Sequence, residues 1–73
     1  MNNISSEVQS TGQFIQYYRK EEMKISRQKL ADLADVDVTT ITSFEKGELN
    51  IRLGTLVRIC KAMNLKLIIT EAD

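Results

Sequence analysis

Two helix-start signals stand close together near the middle of this chain, and few arrangements accommodate both. Ile25-Ser26 precedes Leu30, and Val36-Asp37 precedes Ile41. In each, a side-chain oxygen can accept from the free N–H groups of a helix's first turn, and the flanking apolar pair staples the entry. The first helix carries Leu30, Ala31, Leu33 and Ala34 at i, i+3, i+4 spacing, with Asp32 and Asp35 interrupting only its outer face. The second turns Ile41 and Phe44 inward and ends at Gly47, a C′ residue. Little more than Asp35-Val36-Asp37 joins them, with Asp35 as the left-handed residue. The expectation is two short helices across a tight turn.

Weaker signals flank this helix-turn-helix unit. From Thr11 to about Lys24, Phe14, Ile15, Tyr18 and Met23 fit one face of an earlier helix. Its start is open: Ser10 or Thr11 can cap it, but Ser6 followed by Gln9 is also a capping-box pattern. Arg19-Lys20-Glu21-Glu22 reads as its solvated end. Residues 1–9 are polar apart from Ile4 and Val8, and are expected to form an arm or an extra helical turn. Asn50 can cap a fourth helix with Leu53, Leu56, Val57, Cys60 and Met63 on its apolar face and Arg52, Arg58 and Lys61 elsewhere. Asn64 ends it as a C′ residue. Beyond it the period changes. Leu65, Leu67 and Ile69 alternate with Lys66, Ile68 and Thr70, which predicts a short strand. The fold class expected is all-α, four to five helices with one C-terminal β-strand. It divides into an N-terminal arm or turn (1–9), a helical domain (10–64), and a strand and tail (65–73).

Composition excludes several functions. A chain of 73 residues supports one domain, and its small core leaves a thin stability margin without a staple or a partner subunit. With one cysteine and no histidine it has no internal disulfide, no ordinary zinc site and no Ser/His or Cys/His catalytic pair. Neither a cofactor nor a metal is expected, and neither is enzyme activity. The acids Glu21-Glu22 and Asp32, Asp35 and Asp37 are accounted for by solvent faces and caps. Apolar runs such as Leu67-Ile68-Ile69 fall far short of a membrane span. The N-terminus lacks the basic and apolar regions of a signal peptide. A soluble, cytoplasmic module is therefore expected.

The residue types between Arg27 and Lys46 say more. Ile25-Ser26-Arg27-Gln28-Lys29-Leu30-Ala31 and Val36-Asp37-Val38-Thr39-Thr40-Ile41-Thr42-Ser43-Phe44-Glu45-Lys46-Gly47 resemble the lambda-repressor-like (Cro/CI or XRE-type) family of DNA-binding domains. The Leu-Ala pair and the closing Phe-Glu-Lys-Gly are specific in combination, and the resemblance runs from about Gly12 to Leu65. It implies a second helix of the motif lying in the DNA major groove. By the same resemblance Val38, Thr39, Thr42 and Ser43 match base-facing positions, with Thr40 near the backbone. Arg27 matches a phosphate contact at the head of the preceding helix, beside Gln28, where free N–H groups also favour an anion. Lys46 and the Asn50–Arg52 segment match further backbone contacts. Two departures stand out: Asp35 replaces the family's usual turn glycine, and the link from Arg19 to Ile25 is one residue longer than usual. The family's basic partner for the acid matched by Glu45 is thus either Arg19 or Lys20.

The expected recognition helix has no Arg, Gln or Asn for bidentate reading of guanine or adenine. Its methyls and hydroxyls suit thymine methyl groups and single hydrogen bonds, which implies T·A pairs and some selectivity from DNA shape. The strand has no sheet to join within one chain. Pairing of Leu65, Leu67, Ile68 and Ile69 with a second copy about a two-fold axis closes its edge. Such a dimer presents two recognition helices roughly 34 Å apart, for double-stranded half-sites one turn apart. A helix-turn-helix followed by Asn-Leu-Lys-Leu-Ile-Ile-Thr also resembles HipB-like antitoxins, which repress their own operon and bind a toxin. Three readings follow: a homodimeric repressor at the bacterial nucleoid, an antitoxin with a toxin partner, and a protein-interaction module that has lost DNA binding.

The net charge of zero bears on this choice less than it first suggests. Arg27, Lys46 and Arg52 gather on the expected DNA face, while Asp37 caps and Glu45 braces. Phosphate affinity follows that local patch rather than the sum. Cys60 is expected to be a buried small hydrophobe, and one of Tyr17 and Tyr18 to pack while the other covers the surface.

Overall fold

The computed structural model describes residues 4–48 and 51–68, with side chains from Ser10 onward. Helix α1 spans Ile4–Tyr17 and continues as a π-helical turn over Tyr18–Met23. Helices α2 (Arg27–Ala34), α3 (Val38–Glu45) and α4 (Leu53–Ala62) follow. All regular structure among the described residues is helical. α1 starts upstream of both Ser6 and Ser10, so residues 4–9 are a continuous part of it rather than an arm.

The caps behave as the sequence implies. Ser26 Oγ accepts from the Lys29 N–H at 3.0 Å, and Asp37 Oδ1 accepts from the Thr39 N–H at 2.8 Å. Asp35 is left-handed at φ 58°, Gly47 at φ 89° and Asn64 at φ 58°. Each closes its helix with a Schellman bond. The Val36 N–H donates to Ala31 O at 3.0 Å, Glu48 to Ser43 O at 3.1 Å, and Leu65 to Cys60 O at 2.8 Å. α4 departs from expectation at its start. Its N-cap is Arg52, with no side-chain cap bond, and Asn50 lies outside the described residues.

The long link between the first two helices is taken up inside the helix. Lys24 is left-handed at φ 56°, and the Ile25 N–H reaches back to Arg19 O at 3.1 Å. That is one residue further than in the other three closures, so the extra residue widens the last turn into a π-turn instead of forming a loop.

Leu30, Ala31, Ile41 and Ile59 are fully buried at the centre, with Ile15, Ala34, Phe44, Cys60 and Met63 nearly so. Each large aliphatic side chain in this set contributes about 1.5–3 kcal/mol by leaving water. Several expectations fail here. Phe14, Leu33 and Leu53, assigned to inward faces, are at least half exposed. Ile59, absent from the expected apolar face of α4, is its most buried residue. The reason is coverage: α4 packs on α2, which turns its Ile59–Met63 side inward and leaves Leu53, at its free end, in solvent. Phe14 lies beside Tyr18 with ring centroids 5.9 Å apart, and Tyr17 is exposed.

Gly12 is buried where α1 crosses α3. A Cβ there would overlap the Phe44 carbonyl oxygen, so the close approach of the two helices requires glycine.

In the single chain, residues 65–68 adopt no regular secondary structure. Leu65 packs against the core as the apolar residue of the α4 closure, while Leu67 and Ile68 are exposed. A strand needs a hydrogen-bonded neighbour, and none of the described residues offers one here. Ile69, the remaining residue assigned to dimerisation, lies outside the described residues. No described helix is long and apolar enough to cross a membrane.

Candidate nucleic-acid interface

The left-handed Asp35 and the Asp37 cap fix the angle between α2 and α3, and α3 is seated by Ile41 and Phe44 beneath it. Its outer face then presents Thr39 to solvent, with Thr40, Thr42 and Ser43 half-buried beside it. Thr42 Oγ1 donates to Val38 O at 3.1 Å, which leaves that hydroxyl as an acceptor toward any ligand. Val38, assigned to the base-facing set, packs in part against the core. A shallow recess beside α3 is lined by Thr39, Thr40, Ser43, Phe44, Glu48 and Ile51. Glu48 is an acid at this rim that sequence reasoning did not single out.

A second recess lies at the head of α2, between it and the π-turn. Gln16, Arg19, Lys20, Ser26, Arg27 and Gln28 line it. Three of the six are cations, and the free N–H groups of the α2 N-terminus add partial positive charge. Gln16 of α1 and Lys20 of the π-turn join Arg27 here. Gln28 is exposed and donates to Asp32 Oδ1 at 2.9 Å. Lys46 and Arg52 are exposed.

Beneath this recess sits the one buried ionic cluster among the described residues. Arg19, not Lys20, takes Glu45: Nε donates to Oε2 at 2.7 Å and Nη2 to Oε1 at 3.1 Å. Arg19 Nη1 also donates to Ile25 O at 2.8 Å, which ties the π-turn to the same cluster. Arg27 Nε donates to Glu45 Oε1 at 2.8 Å. The Glu45 side chain is 0% exposed and that of Arg19 7%, so the cluster joins α1, α2 and α3 from inside. Removing one member of a buried pair typically costs about 3–5 kcal/mol, because the remaining charge is stranded. Cys60 is buried, and burial pushes its thiol pKa above the ordinary 9.0.

A family model described as helix-turn-helix matches residues 15–69, most of the chain. No significant match was found among curated proteins or among solved structures.

Proposed function

Because the chain belongs to the XRE-type, lambda-repressor-like helix-turn-helix family of DNA-binding regulators, we propose that it is a homodimeric, sequence-specific transcriptional repressor. In this reading α3 lies in the major groove, with Thr39, Thr42 and Ser43 toward the base edges, Thr40 near the backbone and Val38 at the margin. Arg27 and Gln28 hold the backbone from the head of α2, and Lys46, Asn50 and Arg52 hold it from the other end of α3. The observation that carries this is a pair of features on the α2–α3 unit: a hydroxyl-rich face on α3 and a cationic recess at the α2 N-terminus.

Dimerisation through 65–69 is supported by the exposure of Leu67 and Ile68, apolar side chains that a second copy would cover. The repressor would act in the bacterial cytoplasm on two half-sites about one turn apart. An antitoxin role keeps the same DNA chemistry and adds a toxin. The exposed Phe14 and Tyr17 of α1, used by neither the DNA face nor the dimer contact, favour such a protein partner. A neighbouring reading frame encoding a toxin would decide between the two roles.

Mutagenesis tests the DNA reading. Thr39→Ala should flatten base preference at one position of each half-site, with a penalty of about 1 kcal/mol on the preferred sequence. Lys46→Ala should weaken all sequences alike and lower the salt slope by about 0.9. Equal losses on every sequence for Thr39→Ala would remove α3 from the groove.

A further inference from the structure

Glu45 is shared between two arginines that use it differently. Arg19 is consumed by the fold: it makes two bonds to the carboxylate and one to the Ile25 carbonyl, and is 7% exposed. Arg27 touches the same carboxylate only through Nε, and its side chain is 36% exposed. A guanidinium carries five N–H donors in one plane. With Nε taken, the donors of the two terminal nitrogens remain, and no described residue accepts from them.

Charge follows the same division. One carboxylate faces two guanidinium groups, and Arg19 already neutralises it. The positive charge of Arg27 is left for whatever enters the recess of Gln16, Lys20, Ser26 and Gln28. Without Arg19, the same carboxylate would cancel Arg27.

We propose that Glu45 is a positioning residue for the DNA backbone: it fixes the Arg27 guanidinium through Nε, so that the terminal nitrogens face this recess and grip a phosphate diester. This rests on the reading of α2 and α3 as a DNA-binding unit. A guanidinium held in this way donates two parallel bonds to a phosphate without first giving up its freedom of rotation. Lysine in its place does this less well: its three ammonium donors can bridge Glu45 and a phosphate, but they lack the planar edge that donates two parallel bonds.

The test is fluorescence anisotropy on a labelled duplex carrying the consensus that the wild-type chain selects from a random pool. It is titrated from about 50 to about 200 mM salt. Arg27→Ala should weaken binding on the order of tenfold and lower the slope by about 0.9. Arg27→Lys should keep the slope and still lose affinity. Glu45→Gln, checked by circular dichroism for folding, should lose affinity in the wild-type background and almost none in the Arg27→Ala background. A brace that is only structural would lose the same factor in both. Because Glu45→Gln strands Arg19 and can unfold the domain, a second measurement uses the unaltered chain. The Arg27 Nε–Hε resonance should be protected from exchange in the free protein and stay protected when the duplex is added. Independent effects of Arg27 and Glu45, full affinity in Arg27→Lys, or loss of that protection on DNA would overturn the positioning role while leaving DNA binding intact. Failure of the wild-type chain to bind any duplex would instead remove the DNA reading and this inference with it.

Discussion

Two glycines give the helix packing its sharpest test, because one substitution should act on them in opposite directions. Alanine in a helix interior is favoured over glycine by about 0.8–1.0 kcal/mol. Gly54, exposed in the first turn of α4, has nothing within 4 Å of the place where a Cβ would stand. Gly54→Ala should therefore stabilise by a few tenths to about 1 kcal/mol. At Gly12 the same methyl group meets the Phe44 carbonyl, which is backbone and cannot rotate away. α1 must lift from α3, and overpacking of this kind costs about 1–3 kcal/mol or more. Set against the helical gain, Gly12→Ala should destabilise by up to about 2 kcal/mol, a fall in melting temperature of up to about 15 °C in a domain of this size. Thermal melts followed at 222 nm decide it. A melting temperature that rises for both variants would refute the crossing of α1 over α3, and with it the path by which Arg19 reaches Glu45.

Smaller perturbations follow from the caps and the thiol. Ser26→Ala and Asp37→Ala should each cost about 1 kcal/mol in urea unfolding, since each removes the side-chain acceptor for a first-turn N–H. Cys60 should react with a thiol reagent far more slowly in the folded chain than in urea, because it is buried. Its folded pKa is raised above 9.0, so the stability it adds is fully present below the unfolded value and is lost as pH rises toward the folded one. Melting curves should therefore shift downward only above about pH 9; a fall already present at neutral pH in the wild type but not in Cys60→Ala would contradict this.

The sequence made legible what is decided within a few residues. Ser26, Asp37, Asp35, Gly47 and Asn64 all do what their types imply, because a cap or a left-handed turn is closed by bonds to its own helix. Side chains whose fate depends on a distant element were harder. Leu33 and Leu53 satisfy a helical period yet stay exposed, since no described element covers their side, whereas Ile59 is buried in the helix that packs on α2. Gly12 carried no local signal of its contact with Phe44. The extra residue between Arg19 and Ile25 was visible as a length, but a length does not say whether the chain makes a loop or the π-turn closed by the Ile25 N–H on Arg19 O. On the proposed DNA face, the hydroxyl cluster and Arg27 could be assigned from the motif. Gln16, Lys20 and Glu48 could not, because they reach it from neighbouring elements.

In the proposed function this surface reads double-stranded DNA as a two-fold pair. Selection of duplexes from a fully randomised pool by the wild-type chain, followed by sequencing, tests it most directly. The expected result is an inverted repeat with T·A pairs prominent in both halves and half-site centres about one helical turn apart. A G-rich consensus without symmetry, or no enrichment at low salt, would contradict it.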